Sequence, residues 1–413
     1  MRVALCPPKF PPEFIGGTEK VVLALARELR SRGDEVVILT GTDRPWDGSE
    51  ALRDDFDGFE VLRLPRRPEE GYGLDLRRPR LREVAVGLLR EAGIDVLHVH
   101  HWALLTSGLL RAARDVGIGG IATLHDMWVA CPRFFRRPPP GIDCPSGAGR
   151  EACVRCVILG LPQLDAPGAR EGIALRDDDL RSELSAARRV TAPSRACANR
   201  VREHLPWAGE VEVVPHGLLE PVDEAERRSH VERRAGDPIR VGSFGNLVEE
   251  KGVMLLVYAC RGIPNLELHL AGPFLGEDFA ALVRSKAREF GLRLIEHGAW
   301  QAGDPHPALQ LDLAVFPSLC EETYGLVVEE ALARGVPVVV SNRGALGERI
   351  GAGGLVVDVG ELGPLECTLR ELCADPARID ALRAGVPARF STIAEASARY
   401  RALYEQVLAE VRR

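Results

Sequence analysis

Short apolar runs rich in β-branched residues alternate along this chain with amphipathic helical stretches, and this alternation constrains the fold more than any other feature. Residues 3–6 have the composition of a buried strand, and residues 35–40 (EVVILT) are typical of a second one. Between them, Val21, Leu25 and Leu29 recur at the spacing of one helix face. Strand–helix–strand alternation of this kind predicts βαβ units built on a parallel sheet.

The alternation occurs twice, and the two series predict two α/β domains, each with a doubly wound, Rossmann-like sheet. In the first series further strands are predicted at residues 95–99, 121–124, 190–192 and 211–214. In the second series strands are predicted at residues 239–244, 266–271, 313–316 and 336–340, with helices at 252–260, 279–290 and 325–334. Such domains bind ligands at the carboxyl ends of their strands, so we predict a ligand in a cleft between the two.

The segment between the two series sets the predicted domain boundaries. Residues 218–238 are rich in Glu and Arg, include two prolines and lack a strand pattern, as expected of a linker. We therefore predict an N-terminal domain over residues 1–217, a C-terminal domain over residues 239–390 and a final helical segment over residues 391–413.

The overall composition excludes several classes of protein. The 413 residues include 53 basic and 60 acidic side chains, and a net charge of -7 lacks the positive field that nucleic-acid binding requires. No run approaches the ~18 consecutive apolar residues of a membrane helix, and the first residues do not form a secretory signal pattern. We expect a cytoplasmic protein whose ten cysteines are too dispersed for a disulfide framework.

A glycine pair, Gly16 and Gly17, lies in the loop between the first predicted strand and the first predicted helix. Glycine allows a ligand to approach the backbone closely, and the free N–H groups at a helix N-terminus favour phosphate. A strand-to-helix turn also uses glycine for its geometry alone. Both interpretations stay open at this point.

Lys251 lies in the equivalent loop of the second series, where the next helix is predicted to begin. The chain has only four lysines among its 53 basic residues, which makes this one conspicuous. Its ammonium group would add to the helix dipole in neutralising a diphosphate. The alternative is a solvated lysine beside Glu249 and Glu250, and we favour the phosphate-binding interpretation.

Two carboxylates eight residues apart, Glu322 and Glu330, give the strongest functional signal. Glu322 follows a predicted strand, and Glu330 lies within the helix that Gly325 opens. Carboxylates are good acceptors for vicinal hydroxyls, so the pair would hold a sugar and a ribose on either side of a diphosphate. In the alternative interpretation Glu322 is a helix N-cap and Glu330 a surface residue, but a carboxylate within the apolar run of that helix requires a partner.

The spacing Glu322-x7-Glu330 resembles the E-x7-E motif of retaining glycosyltransferases of the GT-B fold, family 4. Four further segments resemble this family in order and spacing: residues 16–19 (GGTE), 31–36 (SRGDEV), 214–217 (VPHG) and 339–348 (VVSNRGALGE). The resemblance extends along nearly the whole chain. It implies two Rossmann-like α/β domains that face each other across a cleft, with the C-terminal helix packed on the N-terminal domain.

The resemblance also implies roles for individual residues. Glu330 would bind the nucleotide ribose, Glu322 the hydroxyls of the donor sugar, and Lys251 the leaving diphosphate. The segment at residues 123–126 (TLHD) is similar to one that reaches the reacting sugar in the family, so the implied catalytic residues are His125, Lys251 and Glu322. The implied donor-binding residues are Gly16, Gly17, Asn246, Lys251, Glu322, Thr323, Tyr324, Gly325, Leu326 and Glu330.

Asn246 departs from the family pattern, because many members have Arg at that position and pair it with the lysine on the diphosphate. The Asn side chain keeps a hydrogen-bond donor but loses the charge. Neutralisation of the diphosphate then depends on Lys251, on helix dipoles or on another Arg.

The activity that the resemblance implies is transfer of a sugar, with retention, from a nucleoside diphosphate sugar to a hydroxyl or amine of a small metabolite, a lipid or a polysaccharide precursor. The family uses a same-face route in which the leaving diphosphate helps to deprotonate the acceptor, and catalysis requires no cofactor. The alternatives are a nucleotide-sugar epimerase or phosphorylase on the same fold, and a non-catalytic sugar-nucleotide-binding protein. A peripheral membrane contact stays open, and the oligomeric state is not indicated.

Four of the ten cysteines fall within an insertion at about residues 131–160; they are Cys131, Cys144, Cys153 and Cys156. Four thiolates can surround a zinc ion tetrahedrally, so a structural zinc is one prediction for this insertion. Free thiols and reversible disulfides are the alternatives, because the sequence contains one C-x2-C pair where strong zinc signatures have two.

Three histidines, His98, His100 and His101, follow one another at the end of a predicted strand. Successive side chains of a strand point to opposite faces, and a metal needs several convergent ligands. We therefore predict that these histidines line the acceptor side or pack in the interior, in preference to binding a metal.

Overall fold

The computed structural model describes residues 1–70, 73–133, 136–137, 144, 149–207, 209–228, 234, 236–301 and 303–413. The chain forms two compact units, one comprising Met1–Leu219 with Ser391–Arg413 and the other Glu220–Phe390. Each unit is built on a largely parallel sheet with helices on its faces. The predicted fold class of two doubly wound α/β domains is confirmed.

The sheet of the first unit has eight strands in the described part of the chain. They are β1 Arg2–Cys6, β2 Glu35–Thr42, β3 Leu52–Phe56, β4 Phe59–Pro65, β5 Val96–Val99, β6 Gly119–Thr123, β7 Arg189–Ala192 and β8 Val211–Val213. Their order across the sheet is β3-β4-β2-β1-β5-β6-β7-β8. Neighbouring strands are parallel apart from β3 and β4, which form an antiparallel hairpin.

The β3–β4 hairpin was missing from the sequence-based prediction. β3 has a polar sequence (LRDDF) and alternates between exposed and half-buried positions, as edge strands commonly do. Arg63 interrupts the apolar sequence of β4, yet its side chain is fully buried and donates to the carbonyl oxygens of Phe10, at 3.1 Å, and Pro11, at 2.6 Å. These bonds tie the loop after β1 to the sheet.

Helices cover both faces of this sheet. Those preceding the second unit are α1 Gly17–Ser31, α2 Pro79–Glu91, α3 Leu109–Asp115, α4 Glu151–Gly160, α5 Ala166–Ala186 and α6 Arg195–His204. α1 begins where the Glu19 carboxylate accepts the Gly16 N–H at 3.0 Å, and it buries Val21, Leu25 and Leu29 on one face. The helical periodicity of the sequence therefore identified its core-facing side.

The second unit has a six-stranded sheet within the described residues. Its strands are β9 Ile239–Phe244, β10 Leu266–Ala271, β11 Arg293–Gly298, β12 Leu313–Phe316, β13 Val338–Ser341 and β14 Gly354–Val357, in the order β11-β10-β9-β12-β13-β14. The sequence pattern did not predict the two edge strands, because β11 is largely exposed and β14 buries only one of its four residues. β13 begins at Val338 instead of the predicted residue 336, since Pro337 has no N–H for the sheet.

Helices again flank the strands of the second unit. They are α7 Glu224–Arg228, α8 Val253–Ala259, α9 Glu277–Glu289, α10 Leu326–Ala333, α11 Leu362–Ala374 and α12 Pro376–Ala384. Short 3-10 turns occur at Glu249–Lys251, Pro307–Gln310, Leu346–Glu348 and Gly351–Gly353. α7 lies in the segment predicted as a linker, and it is attached to the second unit because Glu226 pairs with Arg334 at 2.7 Å.

The last helix, α13 Ile393–Val411, belongs to the first unit. Thr392 and Glu395 form a capping box at its start. Its buried face includes Tyr400, Leu403 and Tyr404, which pack in the core on one side of the first sheet. Two tyrosine hydroxyl groups are thereby carried into the interior beside the ends of β5 and β6.

Each sheet has a point where the strand order reverses direction, and ligands of doubly wound folds bind beside such points at the carboxyl ends of the strands. In the first unit this point lies between β1 and β5, and in the second between β9 and β12. Lys251 follows β9 and Glu322 follows β12, while His100 follows β5. The fold thus positions the residues that the sequence singled out beside the two reversal points.

Candidate functional sites in the two units

The best-defined candidate site of the second unit contains Lys251, Ser318 and Glu322, which we call the ion-pair cluster. Lys251 Nζ lies 2.6 Å from Glu322 Oε1, and the Ser318 hydroxyl donates to the same oxygen at 2.7 Å. The structure therefore brings together two residues that are 71 positions apart and that the sequence had proposed for one site. Ser318 was not predicted as a site residue, and its position in the loop after β12 is the signal that could have found it.

Backbone contacts between the two loops hold the ion-pair cluster in register. The Leu319 N–H donates to the Glu250 carbonyl oxygen at 2.9 Å. Gly252, with φ of 73°, passes so close to Pro317 that a Cβ would overlap its carbonyl oxygen. The loop after β9 therefore approaches the loop after β12 only because residue 252 is glycine.

Electrostatics keep both members of the ion pair charged. Burial by itself would raise the pKa of Glu322, but the Lys251 ammonium and the Ser318 hydroxyl outweigh it, and the pKa lies below its ordinary value. For Lys251 burial acts to lower the pKa, and the Glu322 carboxylate raises it overall. The Lys251 side chain is 43% exposed and that of Glu322 is 14% exposed. The cluster therefore presents a fixed positive and a fixed negative charge that remain accessible from solvent.

Glu330, the second carboxylate of the motif, lies on α10 with its side chain 26% exposed. His306 Nε2 is 3.7 Å from Glu330 Oε2, and His306 Nδ1 accepts the Ala308 N–H at 3.2 Å. Because Nδ1 is an acceptor, the hydrogen of a neutral His306 is on Nε2 and faces the carboxylate. The apolar run around Glu330 had suggested a buried carboxylate, and the partial exposure explains how it is tolerated there.

The buried carboxylate of α10 is instead the preceding residue, Glu329, which is 3% exposed. It accepts a hydrogen bond from the Tyr324 hydroxyl at 2.7 Å and lies 2.9 Å from Arg349 Nε. Arg349 also stacks over the Tyr324 ring, 3.7 Å from its centroid, and donates to the Tyr324 carbonyl oxygen. Arg349 was missed by the sequence analysis, and it fixes the loop in which the donor-binding residues were predicted.

The remaining predicted donor-binding residues of the second unit lie on the same two loops. Asn246 is exposed on the loop after β9, and Gly325, with φ of 84°, is the N-cap of α10. Thr323 and Leu326 flank this cap and are half-buried. The loop at residues 339–348 supports them, because the Ala345 N–H donates to the Glu322 carbonyl oxygen at 2.8 Å. Their roles in binding a donor stay predictions.

The candidate site of the first unit is built from His98, His100, His125 and His216, which we call the histidine cluster. His100 Nδ1 is 2.7 Å from His125 Nε2, and the His125 ring stacks on His216 with centroids 4.9 Å apart. The His98 and His100 rings lie 4.0 Å apart, and His98 bonds to Tyr404 on α13 and to Thr123 on β6, each at 2.7 Å.

Burial makes three histidines of this cluster neutral: His98, His100 and His125. Desolvation lowers the pKa of His125 to about 3, and it lowers the pKa values of His98 and His100 well below their ordinary range. His101 lies beside the cluster, with Nε2 3.1 Å from the Asp126 carboxylate. The histidine cluster therefore offers hydrogen bonds and aromatic surface, and the negative charge of Asp126 acts on His125.

The glycine pair of the first unit lies at the start of α1. The Gly16 N–H is bonded to the Glu19 carboxylate, which is itself 3% exposed. That amide is already satisfied by the protein, so the glycine-loop hypothesis now rests on Gly17, which is exposed. Phosphate binding by Gly16 and Gly17 stays a prediction.

Comparison with known proteins identifies the chain. Residues 15–218 match the family model described as Glycosyltransferase Family 4, and residues 224–384 match the model described as Glycosyl transferases group 1. The chain belongs to these glycosyltransferases. The family resemblance inferred from the E-x7-E spacing is thereby confirmed, and retention of configuration stays a prediction.

Alignments with curated relatives extend over most of the glycosyltransferase. The chain is 28% identical to D-inositol 3-phosphate glycosyltransferase 1 of Catenulispora acidiphila, over 90% of this chain and 85% of that protein. It is also 28% identical to the GDP-mannose-dependent alpha-mannosyltransferase of Mycolicibacterium smegmatis, over 95% of this chain and 93% of that protein. The solved structure of sucrose-phosphate synthase from Thermosynechococcus elongatus covers 99% of both chains with a TM-score of 0.69 at 21% identity. The fold of the glycosyltransferase is therefore GT-B.

The four cysteines of the insertion lie near one another, since the other three add to burial in raising the pKa of Cys144. Cys153 and Cys156 are on α4, and burial raises the pKa of the Cys144 thiol to about 11. Among the residues that the structure describes, no group of three or more His, Cys, Asp or Glu side chains is arranged to hold a metal ion. Residues 134–135, 138–143 and 145–148 of the insertion lie outside that description, and the zinc hypothesis stays a prediction.

No helix in the described ranges of the glycosyltransferase combines the length and apolar character that a bilayer-spanning segment requires.

Proposed function

We propose that this glycosyltransferase transfers a sugar, with retention of configuration, from a nucleoside diphosphate sugar to an acceptor hydroxyl or amine. The observation that carries the proposal is the ion-pair cluster, in which Lys251 and Glu322 meet at 2.6 Å beside the strand-order reversal of the second unit. A diphosphate needs a cation, and a sugar diol needs a fixed acceptor, and the cluster provides both within one pair of loops.

In this proposal donor binding changes the partner of each charge. The Lys251 ammonium moves from the Glu322 carboxylate to the diphosphate, where it stabilises the negative charge that grows as the glycosidic bond breaks. Glu322 is then free to accept hydrogen bonds from the sugar hydroxyls. Ser318 keeps Glu322 oriented during the exchange, because its hydroxyl donates to the same carboxylate oxygen at 2.7 Å.

Glu330 would bind the hydroxyls of the nucleotide ribose. Its carboxylate is partly exposed, and His306 Nε2 approaches Oε2 at 3.7 Å. A vicinal diol can donate two hydrogen bonds to one carboxylate. Glu329 cannot take this role, because Tyr324 and Arg349 already occupy its oxygens.

For the chemical step we propose the same-face route. The leaving diphosphate takes the acceptor proton, the bond from the sugar to the diphosphate oxygen breaks, and the acceptor oxygen or nitrogen bonds to the same face of the sugar. The protein contributes charge stabilisation through Lys251 and positioning through Glu322 and Glu330. His125 is proposed as a neutral hydrogen-bond donor to the reacting sugar.

The names of the relatives support the proposed substrate classes. One curated relative is named for D-inositol 3-phosphate and another for GDP-mannose. The first name supports a polyhydroxylated acceptor, and the second supports a nucleoside diphosphate sugar as donor. We propose both classes for this chain, without a choice of base, sugar or linkage.

The test is release of nucleoside diphosphate from a panel of UDP-, GDP-, ADP- and dTDP-sugars, with Glu322→Ala and Lys251→Ala beside the wild type. We expect slow release from one donor by the wild type and a loss of ~10²–10³-fold in each variant, the magnitude typical of removing one group that stabilises developing charge. Lys286→Ala is the matched control, because Lys286 pairs with Glu289 on an exposed face of α9.

Three results would contradict the proposal. If no nucleoside diphosphate is released, and no free nucleoside diphosphate raises the thermal stability, the proposed donor site does not exist. Stabilisation without release, in every acceptor mixture tried, would favour a sugar-nucleotide-binding protein. Interconversion of the donor sugar without acceptor would favour an epimerase.

A further inference from the structure

The bond between His100 and His125 determines what His125 can do. His100 Nδ1 and His125 Nε2 are 2.7 Å apart, and both rings are buried. A hydrogen bond between two neutral imidazoles contains a single hydrogen, so one ring donates and the other accepts. If His100 is the donor, the remaining hydrogen of His125 is on Nδ1; if His125 is the donor, its Nδ1 is a bare acceptor.

The neighbouring His98 has no hydrogen-bonding capacity left for His100. His98 Nε2 lies 2.7 Å from the Thr123 hydroxyl, and His98 Nδ1 lies 2.7 Å from the Tyr404 hydroxyl. A hydroxyl can donate or accept, so both bonds form in either tautomer of His98. Both ring nitrogens of His98 are therefore engaged.

The second nitrogen of His100 decides the direction of the bond. His100 is 1% exposed, and its Nε2 has no hydrogen-bond partner among the residues that the structure describes. A hydrogen on this atom would be a buried N–H without an acceptor, which folded proteins tolerate less often than a buried acceptor without a donor. The hydrogen of His100 is therefore on Nδ1, and His100 donates to His125.

We propose that His100 is a positioning residue that holds His125 in the neutral tautomer with its hydrogen on Nδ1, so that His125 donates a hydrogen bond and does not act as a base. His216 adds to this positioning, because its ring stacks on His125 at an interplanar angle of 17°. The neutral state that the argument requires agrees with burial, which lowers the pKa of His125 to about 3. The role in catalysis rests on the function proposed above, but the tautomer does not.

The tautomer is measured directly on the full chain with ¹⁵N-labelled histidine. Long-range ¹H–¹⁵N correlation spectra at pH 7.5 distinguish a ring nitrogen that has a hydrogen from a bare one, and the spectrum of His125→Asn assigns the His125 signals. We expect His125 to have its hydrogen on Nδ1 and a bare Nε2. A wild-type His125 with its hydrogen on Nε2, or with both nitrogens protonated, would overturn the proposal.

Two variants of His100 separate positioning from packing. His100→Asn keeps an N–H donor near the place of Nδ1, and we expect it to preserve the Nδ1 tautomer of His125. His100→Phe keeps a ring but removes the donor, and we expect a mixture of the two tautomers. An unchanged His125 tautomer in His100→Phe would show that His100 does not set it. His269→Asn is the control, since His269 bonds to another histidine, His297, in the second unit.

The donor-release assay connects the tautomer to turnover. We expect His100→Phe to lower kcat by roughly 10²-fold, the lower end of what the loss of one positioned hydrogen-bond donor costs, with a smaller change in KM and with recovery in His100→Asn. Equal kcat in the two variants would overturn the catalytic part of the proposal. If the wild type releases no nucleoside diphosphate at all, the proposed function fails, while the tautomer measured without substrate still decides the inference about His100.

Discussion

The histidine cluster of the first unit and the ion-pair cluster of the second occupy equivalent places in two sheets of the same design, yet their chemistry is opposite. Burial removes charge from the first cluster, where the pKa of His125 falls to about 3. Pairing preserves charge in the second cluster, where Lys251 keeps the pKa of Glu322 below its ordinary value.

The difference shows that a doubly wound sheet specifies a place for function and not its chemistry. The carboxyl ends of parallel strands converge in both units. In the first unit His98, His100 and His125 are buried, and desolvation suppresses their ionisation. In the second unit the cationic side chain of the pair is partly exposed, so a charged group remains stable there. The following predictions test this contrast in order of decreasing expected effect.

The largest effect is expected where a buried charge loses its partner. Arg349→Met leaves the Glu329 carboxylate without its cation, although Glu329 is 3% exposed. We expect a loss of about 3–5 kcal/mol in the free energy of unfolding, measured by urea denaturation.

Two further variants establish the cause of that loss. Arg343→Met is the control, because Arg343 is an exposed arginine in the same region. Adding Glu329→Gln to Arg349→Met should restore part of the stability, since Gln still accepts from Tyr324. A loss no greater than that of Arg343→Met would mean that the second unit does not depend on paired charges.

The second-largest effect is expected from acid, which should reduce the stability that the neutral histidine cluster gives to the folded chain. The folded pKa of His125, about 3, lies below its ordinary value of 6.5, so between these values the unfolded chain binds a proton that the folded chain does not. Stability is therefore complete above pH 6.5 and is lost as the pH falls towards 3. Between pH 7.5 and 5.5 we expect the wild type to lose about 1.4 kcal/mol more than His125→Asn in urea denaturation. Equal losses would show that His125 is not desolvated.

A smaller effect is expected from removing one neutral hydrogen bond. Tyr404→Phe deletes the hydroxyl that bonds to His98 at 2.7 Å, without leaving a charge behind. We expect a loss of ~1 kcal/mol, well below that of Arg349→Met. Tyr258→Phe is the control, because Tyr258 is half-buried and its hydroxyl is not part of this network. A loss from Tyr404→Phe as large as that from Arg349→Met would contradict the distinction between the neutral histidine cluster and the paired charges of the second unit.

The smallest effect on the comparison of the two clusters is expected from changes in the cysteine insertion, which contributes no residue to either cluster. If the four thiols bind a structural zinc, elemental analysis of the wild type will find one zinc ion per chain, and Cys153→Ser will lose it. Cys367→Ser, at an exposed cysteine outside the insertion, should keep it. Absence of zinc from the wild type, even after incubation with zinc salts, would contradict the hypothesis and leave free thiols or disulfides.

Much of the fold could be predicted because local patterns report local structure. The apolar runs located β1, β2, β9, β10 and β12 closely, since a buried parallel strand is nearly continuous in hydrophobic residues. The edge strands β3, β11 and β14 were not predicted, because β3 and β11 mix polar with apolar residues and β14 buries only one of its four residues. The pair Lys251 and Glu322 could be proposed because each follows a strand of the same sheet.

The rest depended on contacts that no local pattern encodes. The spacing of Glu329 and Glu330 on α10 does not reveal which carboxylate is buried, because that is decided by Arg349, 20 positions away from Glu329. The state of the histidines depends on Tyr404, which is 306 residues from His98 and reaches it only when α13 packs on the first sheet. The sequence by itself determined the two sheets and the loops that converge at them. The tertiary structure decided which groups are charged, because ionisation follows from burial and from partners that are remote in the chain.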